Sequence, residues 1–225
     1  MMRLWLTAAS VLIGVTALSA QTQKLALEAD TIDLPKDIAE ALNPEFGREA
    51  FAITDGETKA MTFWFRKVIP VKATAEQLKN GITYREIPEG TLIGVVKLEK
   101  AFVDFRKQEI PAGTYTLRIA VQPDTGDHRD TAPHQDFVLL SPVSDDKSVE
   151  VIELKDLVRR SIKVTGSDHP AVMLLYPHFA KGDDAKLASK ENGVTCLQLK
   201  RPVKADDAKA NLGFSIAVAG FSKTR

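Results

Sequence analysis

The sequence predicts a mostly-β protein, an antiparallel β-sandwich with a few short helices. Three observations carry this expectation. Apolar residues recur with period 2 in several segments. Short apolar runs are bounded by turn residues at close intervals. Helical spacing is confined to brief stretches.

The chain opens on a segment that stands apart from the fold. Met1, Met2 and Arg3 form a short cationic start, Leu4 to Leu18 is uncharged and apolar, and Leu18-Ser19-Ala20 ends the run in small residues. This is the pattern of a cleavable export signal, with processing expected after Ala20. The apolar run is shorter than the roughly 20 residues a stable membrane helix needs. With no cysteine near the processing point, a lipid anchor is not expected. No later run reaches membrane length, so the mature chain is expected to be periplasmic or extracellular without a membrane span. The expected organisation is a signal segment over 1–20 and one sandwich domain over 21–225, with an irregular lead-in.

Pro35–Leu42, behind Asp33 and stopped by Asn43-Pro44, reads as the first short helix. Met61, Phe63 and Phe65 alternate with Thr62, Trp64 and Arg66, which predicts a strand with two unlike faces. Thr74 and Gln77 make a capping box for a helix that Asn80-Gly81 ends. Thr91–Leu98 is a continuous apolar run, as expected of a deeply buried strand. Leu117, Ile119 and Val121 alternate with Thr116, Arg118 and Ala120. Phe137–Leu140 and Ala171–Tyr176 read as further buried strands. Between them, Leu154, Leu157, Val158 and Ile162 share one helical face. Phe214, Ile216 and Val218 complete the alternating set. Asp55-Gly56, Pro88-Glu89-Gly90, Asp124-Thr125-Gly126 and Asn192-Gly193 supply turns, because Gly reaches positive φ and Pro presets φ.

Within this frame, Pro111-Ala112-Gly113-Thr114-Tyr115-Thr116-Leu117 resembles a strand entry found in exported bacterial β-sandwich proteins, the transthyretin-like and Cna-B-like modules and uncharacterised periplasmic families among them. The resemblance implies a sandwich fold and an exported location, and it carries no catalytic residue. It implies a turn at Pro111 and Gly113, Tyr115 at a sheet edge and Leu117 in the core. Asp168-His169-Pro170-Ala171-Val172-Met173 is similar to segments of exported proteins from environmental bacteria.

Composition narrows the function classes. Thirty basic and thirty acidic residues balance, so no general electrostatic attraction to nucleic acid or an anionic membrane is expected. The single cysteine, Cys196, excludes an internal disulfide and lies in the strand-like run Val194–Leu199, where a small core residue is expected. Signatures of the nucleophile elbow, the zinc-protease helix, the phosphate-binding loop, the dinucleotide fold and the thiol redox pair are all missing.

The four histidines, His128, His134, His169 and His178, cluster in one part of the chain. Imidazole and carboxylate suit zinc, copper or iron, so His128, His134, Asp136 and His169 form a candidate set for one transition-metal ion. The stretches from His134 to Pro142 and from His169 to Pro177 share a pattern: His, an apolar residue three positions on, Leu-Leu, then Pro. Parallel or equivalent strands would place His134 and His169 at matching ends, and antiparallel pairing would separate them. His178 lies beyond the far end of the strand that follows His169. Trp64 with Arg66 forms a second candidate, a platform for a glycan or an envelope protein, provided that face is exposed.

The function expected from these features is an exported, non-catalytic binding or structural module. The alternatives are a periplasmic metal-binding protein, and a hydrolase or isomerase with carboxylates in a cleft.

Overall fold

A computed structural model describes residues 25–123, 132–178, 182 and 184–220. The export signal over 1–20, the turn at Asp124-Thr125-Gly126 and His128 lie outside the described residues. The elements in chain order are β1 (Leu25–Thr31), β2 (Glu49–Asp55), β3 (Thr58–Phe65), β4 (Ile69–Pro70), α1 (Ala75–Asn80), β5 (Leu92–Leu98), β6 (Phe102–Val103), β7 (Glu109–Ile110), β8 (Gly113–Val121) and β9 (Asp136–Pro142). They continue with α2 (Leu154–Thr165), β10 (Val172–Leu174), β11 (Lys186–Ser189), β12 (Thr195–Ala205) and β13 (Ala208–Ala219). The fold is mostly β, built from antiparallel sheets with two α-helices among the described residues.

Seven strands form one sheet in the order β1-β2-β3-β5-β8-β9-β10, all neighbours antiparallel. The second sheet runs β11-β12-β13, and β4 joins β12 through a short parallel pairing. Phe63, Phe65, Ile93, Leu117, Leu140 and Met173 of the large sheet meet Leu197, Leu199, Phe214 and Ile216 of the small one in a shared core. Apolar burial between the two sheets is the main force holding the sandwich.

The expected alternation between an inner and an outer face is overturned by a second layer of cover. Met61 to Phe65 on β3, Tyr115 to Ala120 on β8 and Phe214 to Val218 on β13 are buried on both faces. The outer face of β3 packs under the lead-in, where Ile38, Leu42 and Phe46 surround Trp64. The outer face of β8 and β9 packs under α2 and the preceding loop, with Ala120 and Leu139 against Ile152 and Leu157. Arg118, which alternation aims outward, is fully buried there and donates to both carboxylate oxygens of Asp146, at 2.6 and 2.9 Å.

Two expected helices form, and α1 carries the reciprocal Thr74–Gln77 capping box. The expected helix over Pro35–Leu42 does not form. Ile38 N–H donates to Pro35 O and Leu42 N–H to Ala39 O, so the segment winds as successive tight turns into a 3₁₀ turn at Asn43–Glu45. The segment lacks the capping box that supports the shorter α1, and the docking of Ile38 and Leu42 onto Trp64 decides its path. Tyr115 also departs from expectation. It lies on β8 between β5 and β9, away from any sheet edge, and its hydroxyl donates to Pro111 O at 2.9 Å.

Candidate functional site

Among the described residues the candidate metal set does not assemble. β9 and β10 pair antiparallel, with Val172 opposite Leu139 and Leu174 opposite Phe137, so His134 and His169 stand at opposite ends of the pair. His169 lines the mouth of an apolar cavity of about 310 Å³ floored by Phe105, Leu139 and Val158. His128 lies outside the described residues. Among the described residues, no group of three His, Cys, Asp or Glu side chains is placed to hold an ion.

The Trp64 platform is also corrected. Trp64 keeps 2% of its surface and donates its indole N–H to Ile32 O at 3.0 Å. Arg66 ion-pairs with Glu45 at 2.7 Å. The lead-in covers this face because a large aromatic with a satisfied N–H gains most from burial.

The chemistry gathers instead at a corner where the two sheets meet. Extending the β9–β10 register brings His134 beside the residues after β10, and its ring stands edge-on to Tyr176 at 4.5 Å. The chain leaving β10 crosses to the second sheet, where Leu175 bridges to Ile216 and Tyr176 N–H donates to Ser215 O at 2.8 Å. Tyr84 fastens this crossing. Its hydroxyl donates to Tyr176 O at 2.9 Å and accepts Ser215 N–H at 3.0 Å. A 3₁₀ turn over Tyr84–Glu86, capped by Thr83 and Glu86, aims Tyr84 inward and Arg85 outward along the corner.

Beside this crossing lies a cleft of about 240 Å³ whose walls include Thr83, Arg85, Asp136, Pro177, His178 and Gly213. Arg85 Nε stands 2.9 Å from Asp136 Oδ1, and Arg85 Nη2 donates to Gln135 Oε1 at 2.7 Å. The Arg85 side chain remains 45% exposed. His178 lies directly on β13. A Cβ added to Gly213 would stand 2.4 Å from His178 Cδ2 and 2.8 Å from its carbonyl oxygen, so only glycine admits this packing. His178 Nδ1 is buried with no hydrogen-bond partner among the described residues.

The electrostatics of the cleft follow from burial and neighbouring charge. Desolvation pushes Asp136 above the usual carboxylate range, opposed by Arg85 and His134. Desolvation holds His134 below the usual imidazole value, opposed by Asp136 and assisted by Lys190. His178 is lowered by desolvation and by the positive charges of Lys190, Lys186 and Lys200. Tyr84 is raised strongly, chiefly by burial, so its hydroxyl stays protonated. Lys190 Nζ stands 5.9 Å from the centre of the Tyr176 ring.

Comparison with known proteins adds no identity. No family model, curated protein or solved structure matches this chain significantly.

The corner therefore offers a charged donor, an ion-paired carboxylate and the His178 imidazole around a space for a small molecule, with the His134 imidazole beside Tyr176 nearby. Sequence reasoning found His134 and Asp136, set His178 apart from the metal set, and missed Arg85 and Gly213. The repeated His-to-Pro pattern held the usable signal. Paired antiparallel, it sets His134 beside Pro177 and hence beside His178.

Proposed function

We propose that this chain is an exported, non-catalytic binding module and that its ligand is a small polar molecule held in the corner cleft. The observation that carries this reading is the cleft itself: about 240 Å³ of space with the half-exposed Arg85–Asp136 pair and His178 in its walls. A few placed polar groups around partly apolar walls are the usual make-up of a small-molecule site. Ile82, Pro177 and Leu212 supply apolar contact for a sugar-sized ring, while Arg85 and Thr83 supply hydrogen bonds.

Two features favour binding over catalysis. The Tyr84 hydroxyl is committed as both donor and acceptor to the backbone that joins the sheets, so it serves structure. The Cys196 thiol is buried and raised above its ordinary value by desolvation, the reverse of an activated nucleophile. Export agrees with a ligand met outside the cytoplasm, such as a glycan fragment of the envelope.

The test is an NMR titration with a panel of mono- and disaccharides, followed at the imidazole resonances. The expected result is saturable shifts at His134 and His178 with His169 unmoved, since His169 occupies the other end of β9–β10. Saturable shifts centred on His169, or none at His134 and His178 with any compound, overturn the reading.

A further inference from the structure

We infer that the ligand of the corner cleft is an anion, a carboxylate or phosphate group, received by Arg85. This deepens the binding-module reading and rests on it. Charge on the chain as a whole is balanced, so the local imbalance has to come from the fold. Lys200 on β12 pairs with Gly213 in the cleft wall, Lys190 Nζ stands 5.9 Å from the centre of the Tyr176 ring, and the charge of Lys186 on β11 also acts on His178. β9 and the residues just before it bring Asp136 and His134 to the same place, and the turn before β5 brings Arg85 and Tyr84.

The acid in this group is ion-paired with Arg85, although its buried Oδ1 accepts no hydrogen bond among the described residues. Asp136 stands 2.9 Å from Arg85 Nε, and Gln135 accepts from Arg85 Nη2. These contacts engage Nε and Nη2, and the Arg85 side chain stays 45% exposed. Asp136 and Gln135 thus orient the guanidinium, and its remaining edge can face an incoming anion. A planar guanidinium oriented by a carboxylate is well suited to bind a carboxylate or phosphate through paired N–H donors.

The charges resolved as acting on His178 are all positive, those of Lys190, Lys186 and Lys200. A positive field that discourages the imidazolium is the same field that attracts an anion. A bound anion offsets that field, so His178 takes up a proton on binding more readily than in the free protein. His134 feels Lys190 and Asp136 in opposite senses, so its response is the smaller of the two. Affinity for an anion then rises as pH falls through the range between the free and bound values of His178.

The experiment compares D-glucuronate with D-glucose, two rings alike except for the carboxylate, and adds inorganic phosphate as a ring-free anion. Binding is read by isothermal calorimetry and by the His178 resonance on the full mature chain. The expected result is saturable binding of glucuronate, absent for glucose. It should weaken about tenfold in Arg85→Gln, the loss of one charge-assisted contact. It should also tighten between about pH 7.5 and about pH 5.5, by about tenfold per unit at most because one proton is taken up. Saturable binding of phosphate alone, with the same dependence on Arg85, also supports the inference and assigns the anion to a phosphate source instead of an acidic sugar. Equal binding of glucose and glucuronate overturns the anion inference and leaves the cleft reading standing. No saturable binding of any probe at millimolar concentration overturns both. Lys186→Gln with Lys190→Gln, two exposed or half-buried positions away from the core, gives a second variant that weakens glucuronate without disturbing the fold.

Discussion

The Arg118 guanidinium accounts for all five of its N–H donors. Beyond the two bonds to Asp146, Nη1 donates to Gly90 O at 2.7 Å and to Glu150 O at 2.8 Å, and Nη2 donates to Ser148 O. Thr116 Oγ1 adds a bond to Asp146 at 2.6 Å. A buried charge is tolerated only when each of its bonding sites is met, and here the loop over 143–152 wraps the guanidinium to meet them. Removing one partner strands the other. Arg118→Ala is expected to cost about 3–5 kcal/mol, read as a lower midpoint in chemical denaturation. Replacing Arg118 with Met and Asp146 with Leu together should recover much of that loss. Tyr84 is a smaller case of the same logic. Tyr84→Phe removes the hydroxyl that bonds Tyr176 O and Ser215 N–H in a buried corner, an expected cost of about 1–3 kcal/mol by the same measurement.

Among the elements, close approaches set which residues are replaceable. Gly90 has φ +81°, and a Cβ there would stand 1.8 Å from Ile152 O. The outer-face loop is therefore pinned to the β5 entry by a position that only glycine fills. Gly213 plays the matching part in β13. Gly213→Ala is expected to displace His178 from the strand, moving its imidazole resonance and weakening any cleft ligand, with a smaller effect on overall stability. A crystal structure or a histidine-selective spectrum checks this. At α1 the capping box can be tested directly: Thr74→Ala should cost about 1 kcal/mol. The segment at Pro35–Leu42 shows the limit of such local signals. It has a preceding Asp and apolar residues four apart, yet it turns tightly because Trp64 offers Ile38 and Leu42 a better surface than an isolated short helix does.

For the whole molecule, pH couples the cleft to stability. His134 and His178 have lowered values in the folded state, so the unfolded chain binds their protons first. Stability from these two groups is fully present above the ordinary imidazole value of about 6.5 and is lost as pH falls below it. Asp136 and Asp104 act oppositely, since burial raises both above the unfolded carboxylate value. Their cost is present at neutral pH and is relieved as pH falls through their folded values. Denaturation midpoints measured from about pH 7.5 to about pH 5.5 are expected to fall in the native chain, and to fall less in a His134→Gln, His178→Gln double variant.

The sequence by itself determined the strands, most of the turns, the two capped or amphipathic helices and the burial of Cys196. Those features rest on period, on glycine and proline geometry and on local capping, all of which act within a few residues. Only the tertiary structure decided what covers each face and which strand ends coincide. Alternation along β8 shows that Arg118 and Leu117 point to opposite sides, but it cannot show that a loop thirty residues on will bury the arginine. The same holds for Trp64, whose exposure depended on a lead-in that the local pattern read only as a short helix. His134 and His169 share a sequence pattern, yet antiparallel pairing sends them apart and brings His134, Arg85 and His178 together. Such a site is legible only once register and sheet order are known, because its side chains come from segments joined by hydrogen bonds across the sheets and not by neighbourhood in the chain.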